Sequence, residues 1–387
     1  MSSPPRAEVL RIDGPILAGP DHEMDGAWVL DGRITFERPR YSGDHRTIPG
    51  WALPGLVDAH CHVGLTKDGA TSPGVQEQQA IADRDSGVLL IRDAGSPADT
   101  RWIDDRGDLP EIIRAGRHIA RTKRYLRNYA HEVEPVDLVA TVRQEAAKGD
   151  GWVKLVGDWM DRSSGDLAPC WPADALKEAI ATAHEMGARV TAHCFGEDCL
   201  PDLINANIDC IEHATGMSGD SLQLAIEHGV AIVPTLVNIA TFPRIAESAR
   251  EKFPLYYAHM LDLHAARYDH VLAAYESGVP IFCGTDAGGS LAHGLVPHEV
   301  AELVAAGLPP IAAVDAACWS ARRWLGRPAL QEGAPADLVV YPADPRLDVS
   351  ALHHPLAVIL GGTILAGAAL FAAPRGESAA DGGMITA

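Results

Sequence analysis

Apolar positions along the middle of the chain follow two alternating rhythms. Short runs rich in Val and Ile, bounded by turn residues, alternate with amphipathic stretches of helical length. The runs are GLVDAH (55–60), GVLLIRDAG (87–95), GRHIART (116–122), GWVKLVGD (151–158), ARVTAHC (188–194), IDCIEHA (208–214), VAIVPTL (230–236) and VPIFCGTDAG (279–288). Between the later runs, PADALKEAIATAHEMG (172–187) places apolar residues at three- and four-residue steps. DSLQLAIEHG (220–229) and YAHMLDLHAARYDHVLAAYESG (257–278) do the same, and both end at Gly, a usual helix stop. Strands alternating with helices predict an α/β fold with a parallel sheet covered by helices. Eight such units predict a closed (β/α)8 TIM barrel. An open doubly wound sheet is the structural alternative, but no glycine-rich phosphate loop follows the first strand.

The two chain ends have a different pattern. AWVLDGRITFE near the start is two strand-like runs around Asp31-Gly32, a hairpin signal. EGAPADLVVYPADP and PLAVILGGTILAG, within residues 331–370, are again short strands with turns. Neither end has enough residues for a core of its own, so the two are expected to pack together as one small β-sandwich. The expected organisation is residues 1–52 and 329–387 in that small domain and 53–328 in the barrel.

Composition narrows the partners. The chain has 387 residues, and 52 acidic against 32 basic residues give a net charge of −20. That argues against nucleic acid or an anionic membrane as partner. No run of ~18 apolar residues reads as a transmembrane helix. The start, MSSPPRAEVL, lacks a basic segment followed by an apolar stretch, so a cytoplasmic location is expected. The seven cysteines form no C-x-x-C pair, and free thiols in a reducing compartment are the expectation. Large α/β enzymes commonly form symmetric assemblies, so a homo-oligomer is expected.

The candidate chemistry sits where the predicted strands end, which in a barrel of this type is the C-terminal face. In LPGLVDAHCHVGL, His60 and His62 are two apart and face the same side, whereas Cys61 points the other way into packing. His193 ends the fifth run, His213 the sixth and Asp286 the eighth. Each has a plain structural reading: a buried histidine with satisfied hydrogen bonds, or a turn aspartate. Lys154 is less ordinary, because it interrupts Trp152-Val153-Leu155-Val156 and an unpaired buried ammonium is too costly. Either it reaches the rim or it is not an ammonium. A lysine of depressed pKa can combine with carbon dioxide as a carbamate, an anionic two-oxygen group able to bridge two cations.

Taken together, LPGLVDAHCH, GWVKLVGD, VTAHC, CIEHA, IFCGTDAG and EGAPADLVVYPADP resemble the metal-dependent amidohydrolase superfamily, in order and over nearly the whole chain. The resemblance is strongest to the imidazolonepropionase-like branch that includes prolidase-type dipeptidases. It implies two divalent metal ions: His60, His62 and Asp286 on one, His193 and His213 on the other, and carbamylated Lys154 bridging them with a hydroxide. The N/O ligand set suits zinc, with manganese, cobalt and iron as alternatives. The implied reaction is hydrolysis of an amide in a small substrate such as a dipeptide or N-acyl amino acid. The bridging hydroxide attacks, and Asp286 shuttles the proton to the leaving nitrogen. The alternative is a mononuclear deaminase or cyclic-amidine hydrolase on the same fold. A metal-free scaffold is a third possibility, disfavoured because all six positions carry competent ligands.

Weaker signals concern the substrate. RHIARTKRYLRNYAHEVEP carries Arg117, Arg121, Lys123, Arg124 and Arg127, either a solvated basic patch or a source of one carboxylate-binding arginine, for which Arg127 is the candidate. Tyr129 is a candidate substrate contact, and His131 a candidate contact to the reacting carbonyl. Glu197 lies four residues after His193; related deaminases place their proton-shuttling glutamate three after, where this chain has Gly196. His293 and His298 are expected outside the chemistry, and His259, His264 and His270 on an exposed helix face.

Overall fold

The computed structural model describes residues 9–367 apart from Ser42; the outermost parts of the expected small domain, residues 1–8 and 368–387, lie outside the described residues. Leu56–Cys61 and Val88–Asp93 are buried at every position. Continuous apolar runs of this kind become strands covered on both faces, and they pair in parallel. One parallel sheet has the order Glu111–Arg114, Val88–Asp93, Leu56–Cys61. A second has the order His131–Val133, Ile119–Arg121, Trp152–Val156, Arg189–Cys194, Cys210–His213, Ala231–Val233.

The segment expected as the eighth strand forms no ladder. It is joined by single parallel bridges, Ile232 to Ile281 on one side and Cys61 to Ala287 on the other. Asp286 at φ 57° and Gly288 at φ 103° turn the chain out of extended conformation there. The expected third strand is also shorter than 116–122. It is realised as Ile119–Arg121, and Glu111–Arg114 precedes it as a strand the periodicity did not reveal. Gly116, at φ 71°, breaks the chain between the two.

The helices follow the apolar spacing. Ala173–Glu185 buries Leu176, Ala179, Ile180 and Ala183. Gly219–His228 starts at a Ser218/Ser221 capping box and stops at Gly229 in the left-handed conformation. The longest helix is Pro254–Glu276. Among the described residues no helix is long and apolar enough to cross a membrane.

Strands from both chain ends share one six-stranded sheet, ordered Thr363–Ala366, Ala357–Leu360, Leu338–Tyr341, Trp51–Pro54, Ile16–Gly19, His22–Met24. A four-stranded sheet, Arg33–Thr35, Ala27–Leu30, Leu10–Asp13, Arg46–Pro49, lies against it. Leu10, Ile12, Val29 and Ile48 of the smaller sheet join Ile16, Leu338, Val340 and Ile359 of the larger in one apolar core. The hairpin at Asp31-Gly32 has both residues at positive φ, the twist a two-residue turn requires. Trp51–Pro54 runs straight on into Leu56–Cys61, so the mixed sheet leads the chain into the strand that carries His60.

Candidate metal centre

His60 and His62 leave the first parallel strand with their outer ring nitrogens already committed. His60 Nδ1 lies 2.6 Å from Glu212 Oε2, and His62 Nδ1 lies 2.6 Å from the Gly95 carbonyl. A carbonyl only accepts, so His62 carries its proton on Nδ1 and turns Nε2 inward. The two Nε2 atoms are 3.2 Å apart and lie 3.1 and 2.9 Å from the same Asp286 oxygen, Oδ1. Lone pairs converging on a carboxylate oxygen in a buried space, each imidazole oriented from behind, form a donor set that fits a divalent cation. Asp286 is delivered by its backbone: its N–H donates to the His60 carbonyl at 2.7 Å. Asp58 locks the same junction by accepting from His60 N at 3.0 Å, Thr285 N at 3.1 Å and Thr285 Oγ1 at 2.6 Å.

Three further predicted residues line up beside this group. His193 ends the strand Arg189–Cys194, and its buried Nε2 has no hydrogen-bond partner among the described residues. His213 donates or accepts through Nδ1 with Thr235 Oγ1 at 2.7 Å. Its ring centroid is 4.7 Å from that of His193 and 5.1 Å from that of His60. Lys154, opposite Thr191 in the neighbouring strand, is 1% exposed and forms no salt bridge with a described residue. Burial lowers its pKa, against the pull of Glu212 and Asp286. Backbone strain gathers here: His213, Ala214, Thr235 and Asp286 all have φ between 48° and 67°. Non-glycine residues held there cost on the order of 1–3 kcal/mol each, a pattern typical of functional sites.

Several residues of the site were not singled out from the sequence. Glu212 sends its second oxygen to Arg92 Nη2 at 2.6 Å and also accepts from Thr191 Oγ1. Burial alone would raise the Glu212 pKa, but Arg92 and His60 hold it well below the usual carboxylate range. Arg92 packs over the rings of Trp152 and Trp324, 4.7 and 5.0 Å from their centroids. The signal was available: Arg92 interrupts the apolar run VLLIRD just as Lys154 interrupts its own. His118 is fully buried, with neither ring nitrogen bonded among the described residues, 5.0 Å from the His62 ring. Burial, with His62 next in importance, pushes its pKa well down, so it stands there as neutral imidazole. Its place in GRHIART, a predicted strand, was the available sign.

The substrate candidates divide. Tyr129 is buried near the centre, its ring 6.3 Å from that of His118. His131 is not brought to the cluster. Its Nε2 lies 3.1 Å from Glu145, and it lines a separate cavity of about 440 Å³ with Asp93, Arg117 and Lys148. The cause is local: His131 pairs with Ile119 at the edge of the sheet, on the side covered by the helix Leu138–Lys148 that carries Glu145. Arg127 stands exposed. Glu197 bonds His259 Nε2 at 3.0 Å rather than the histidine cluster. His259 and His270 are therefore half-buried, the latter on the Thr215 carbonyl at 2.6 Å, in contrast to the exposed face expected. His293 pairs with buried Asp83 at 2.8 Å. The cysteine expectation needs one correction: Cys194 and Cys199 form a disulfide, while the other five are buried and free. Asp158 brings the pair together by accepting from Phe195 N and Gly196 N, which turns the chain back after Cys194.

Comparison with known proteins agrees with this geometry. The sequence profile of the amidohydrolase family matches residues 51–365. An uncharacterized protein of Mycobacterium tuberculosis (strain ATCC 25618 / H37Rv) is 54% identical over 359 residues, 92% of this chain and 96% of the relative. Among solved structures, a Xaa-Pro dipeptidase with methionine bound in its active site has a TM-score of 0.75 at 24% identity, covering 92% of this chain and 99% of that one. The A. niger ochratoxinase has a TM-score of 0.77 at 21% identity, covering 97% and 99%. These likenesses speak for a TIM-barrel-type α/β fold. The chain belongs to the amidohydrolase family and is a hydrolytic enzyme acting on carbon–nitrogen bonds.

Proposed function

We propose that the chain is a binuclear metal-dependent hydrolase that cleaves an amide bond in a small substrate, with both ions held at the cluster described above. The observation that carries this reading is the convergence of His60 Nε2 and His62 Nε2 on Asp286 Oδ1, beside a buried lysine without a counter-charge bonded to it. His60, His62 and Asp286 would hold one ion, His193 and His213 the second, and Lys154 as a carbamate would join them. The neutral amine that burial favours is the form that combines with carbon dioxide. Bound divalent ions, zinc by the N/O donor set, would polarise the scissile carbonyl and lower the pKa of water toward ~7.

The protein's own groups do the rest. Burial would raise the Asp286 pKa, but His60 first, and its close contacts with His60 and His62, hold it well below the usual range. It is thus an anion able to take the proton of the attacking water and pass it to the leaving nitrogen. Glu212 and the Gly95 carbonyl keep His60 and His62 in one tautomer and orientation. The mononuclear deaminase alternative lacks its acid here, because Glu197 is taken by His259. A closed eight-stranded barrel, flanked by a small β domain of residues 1–52 and 329–387, belongs to the same proposal; the bridges Cys61–Ala287 and Ile232–Ile281 support the closure.

The test is metal content per chain, measured on protein purified without chelator, for wild type and Lys154→Ala, alongside amide turnover. About two equivalents, falling in the variant together with activity, supports the proposal. One equivalent untouched by the substitution removes the binuclear centre.

A further inference from the structure

Three chain segments from different parts of the sequence place aromatic rings against the histidines. Tyr125 comes from the loop after Ile119–Arg121, Trp159 from the hairpin Asp158–Asp161/Asp166–Pro169, and Phe195 from the end of Arg189–Cys194. Their rings lie 5.7, 5.2 and 4.2 Å from that of His193, and Tyr125 and Trp159 meet edge to face at 4.7 Å. Phe195 also reaches His213 at 4.8 Å and is backed by Phe242 at 4.6 Å. Phe195 is buried, whereas Tyr125 and Trp159 are half-buried. They are the members of this wall that an entering substrate meets.

Arg124 fixes the wall and in doing so leaves the substrate side. Its guanidinium bonds the Trp159 and Ala168 carbonyls, both at 2.7 Å, and Asp161 at 3.1 Å, riveting the Tyr125 loop to the hairpin. Arg117 donates to the Tyr129 carbonyl at 2.9 Å. Arg121 reaches the Cys170 carbonyl at 3.4 Å and Glu134 at 3.9 Å. Arg117, Arg121 and Arg124 thus serve the protein's own carbonyls and carboxylates. A dipeptide or N-acyl amino acid carries a free carboxylate, and the most direct way to recognise it is a two-pronged arginine grip. Of the loop's arginines only the exposed Arg127 is left to offer one, in a protein of net charge −20.

We propose that the site takes uncharged amides bearing a flat aromatic or apolar group, seated on Tyr125, Trp159 and Phe195, and does not require a free carboxylate on the substrate. The inference rests on the amide-hydrolysing centre proposed above, and it names the class of substrate for that centre. A flat ring replaces ring-to-ring contacts of the wall at little loss, and the wall's depth beside His193 and His213 sets the amide near the cluster.

Two readouts test it. Turnover by the metal-loaded enzyme is compared on N-acetylphenethylamine, N-ethylphenylacetamide, N-acetylphenylalanine and N-acetylalanine. Binding of phenylacetamide and of acetamide is measured by calorimetry in wild type, Trp159→Leu and the milder Trp159→Phe. The expected result is that loss of the ring lowers kcat/KM by about tenfold or more, whereas loss of the carboxylate does not lower it. Phenylacetamide binding should weaken in Trp159→Leu and persist in Trp159→Phe. Ring-dependent binding without any turnover keeps the aromatic seat but overturns the amide-hydrolysing reading, and with it the assignment of the seated amides as substrates. A drop on the order of a hundredfold on removing the carboxylate, abolished in Arg127→Ala, overturns the inference while leaving the centre intact. Equal binding of phenylacetamide and acetamide in wild type overturns it as well.

Discussion

Glu212 stands between His60 and a buried arginine, one oxygen 2.6 Å from His60 Nδ1 and the other 2.6 Å from Arg92 Nη2. Neither carboxylate oxygen touches the space between the Nε2 atoms, yet it decides which way the His60 lone pair points. Glu212→Gln should lower divalent-metal affinity by about 10–100-fold, the usual effect of losing such a support. It should also destabilise the fold, by about 3–5 kcal/mol, because Arg92 is left buried without its counter-charge. Adding Arg92→Met should return much of the stability without the metal affinity. Urea unfolding and metal titration on the single and double variants separate the two effects.

Asp286→Asn is a sharper probe of proton transfer. Asparagine tolerates the left-handed backbone that Asp286 adopts at φ 57°, so the fold should persist. The amide cannot accept the water proton, and kcat should fall by about 10²–10⁴. Unchanged turnover at full metal occupancy would remove Asp286 from the proton path.

Two histidines of one region should behave oppositely. His131→Asn loses a partly exposed pair with Glu145, which keeps Lys148 at 2.9 Å and the Arg117 N–H at 2.8 Å. Its kinetics should match wild type, with a small drop in Tm. His118→Asn alters a fully buried ring against His62 and should depress kcat. Steady-state kinetics on both variants decides the matter; a kinetic defect in His131→Asn would restore it as a carbonyl contact.

Stability should carry a pH signature from His259. The hydrogen bond to Glu197 first, then those with Asp166, raise its pKa to about 9 against the opposing effect of burial. The folded state binds the proton more tightly than the unfolded chain, whose histidine titrates near ~6.5. The resulting stabilisation is complete below ~6.5 and disappears as pH rises through about 9. The Tm difference between wild type and His259→Gln should therefore be largest near pH ~6 and shrink by pH ~10. A difference independent of pH would show that the ion pairs with Glu197 and Asp166 do not form.

Gly284 makes a packing prediction. A Cβ there would lie 2.6 Å from His60 N, 2.7 Å from His60 Cβ and 2.5 Å from Val233 Cγ1. Gly284→Ala should cost about 1–3 kcal/mol in chemical unfolding and weaken metal retention, since the strand bearing His60 has to move. Full metal content in a stable variant would contradict this.

What the sequence made legible follows from how each feature is encoded. His60, His62, Lys154, His193, His213 and Asp286 were visible because period-two alternation and a polar residue at the end of an apolar run are local signals. The structure brings all six together. The hairpin at Asp31-Gly32 was visible for the same reason. The eighth segment was read as a strand because VPIFCG is apolar, but the backbone turn at Asp286 depends on its bond to the His60 carbonyl, far away in sequence. His118 and His131 share one stretch, and only sheet pairing and the helix bearing Glu145 decide which one faces the cluster. The Cys194–Cys199 bond likewise depends on Asp158, a residue of another strand. The aromatic wall comes from three separate segments, and no single window of sequence contains it.

The sheet shared by the two chain ends sets an order of events during synthesis. Trp51–Pro54 is made early, but its partner Leu338–Tyr341 emerges roughly 280 residues later, on the order of half a minute at ribosomal speed. Until then the strand keeps one unpaired edge, immediately before the segment that carries His60, and such an edge invites pairing with other nascent chains. A ribosome stalled short of Leu338 would release a chain able to build most of its parallel strands, with the edge beside its first one still open.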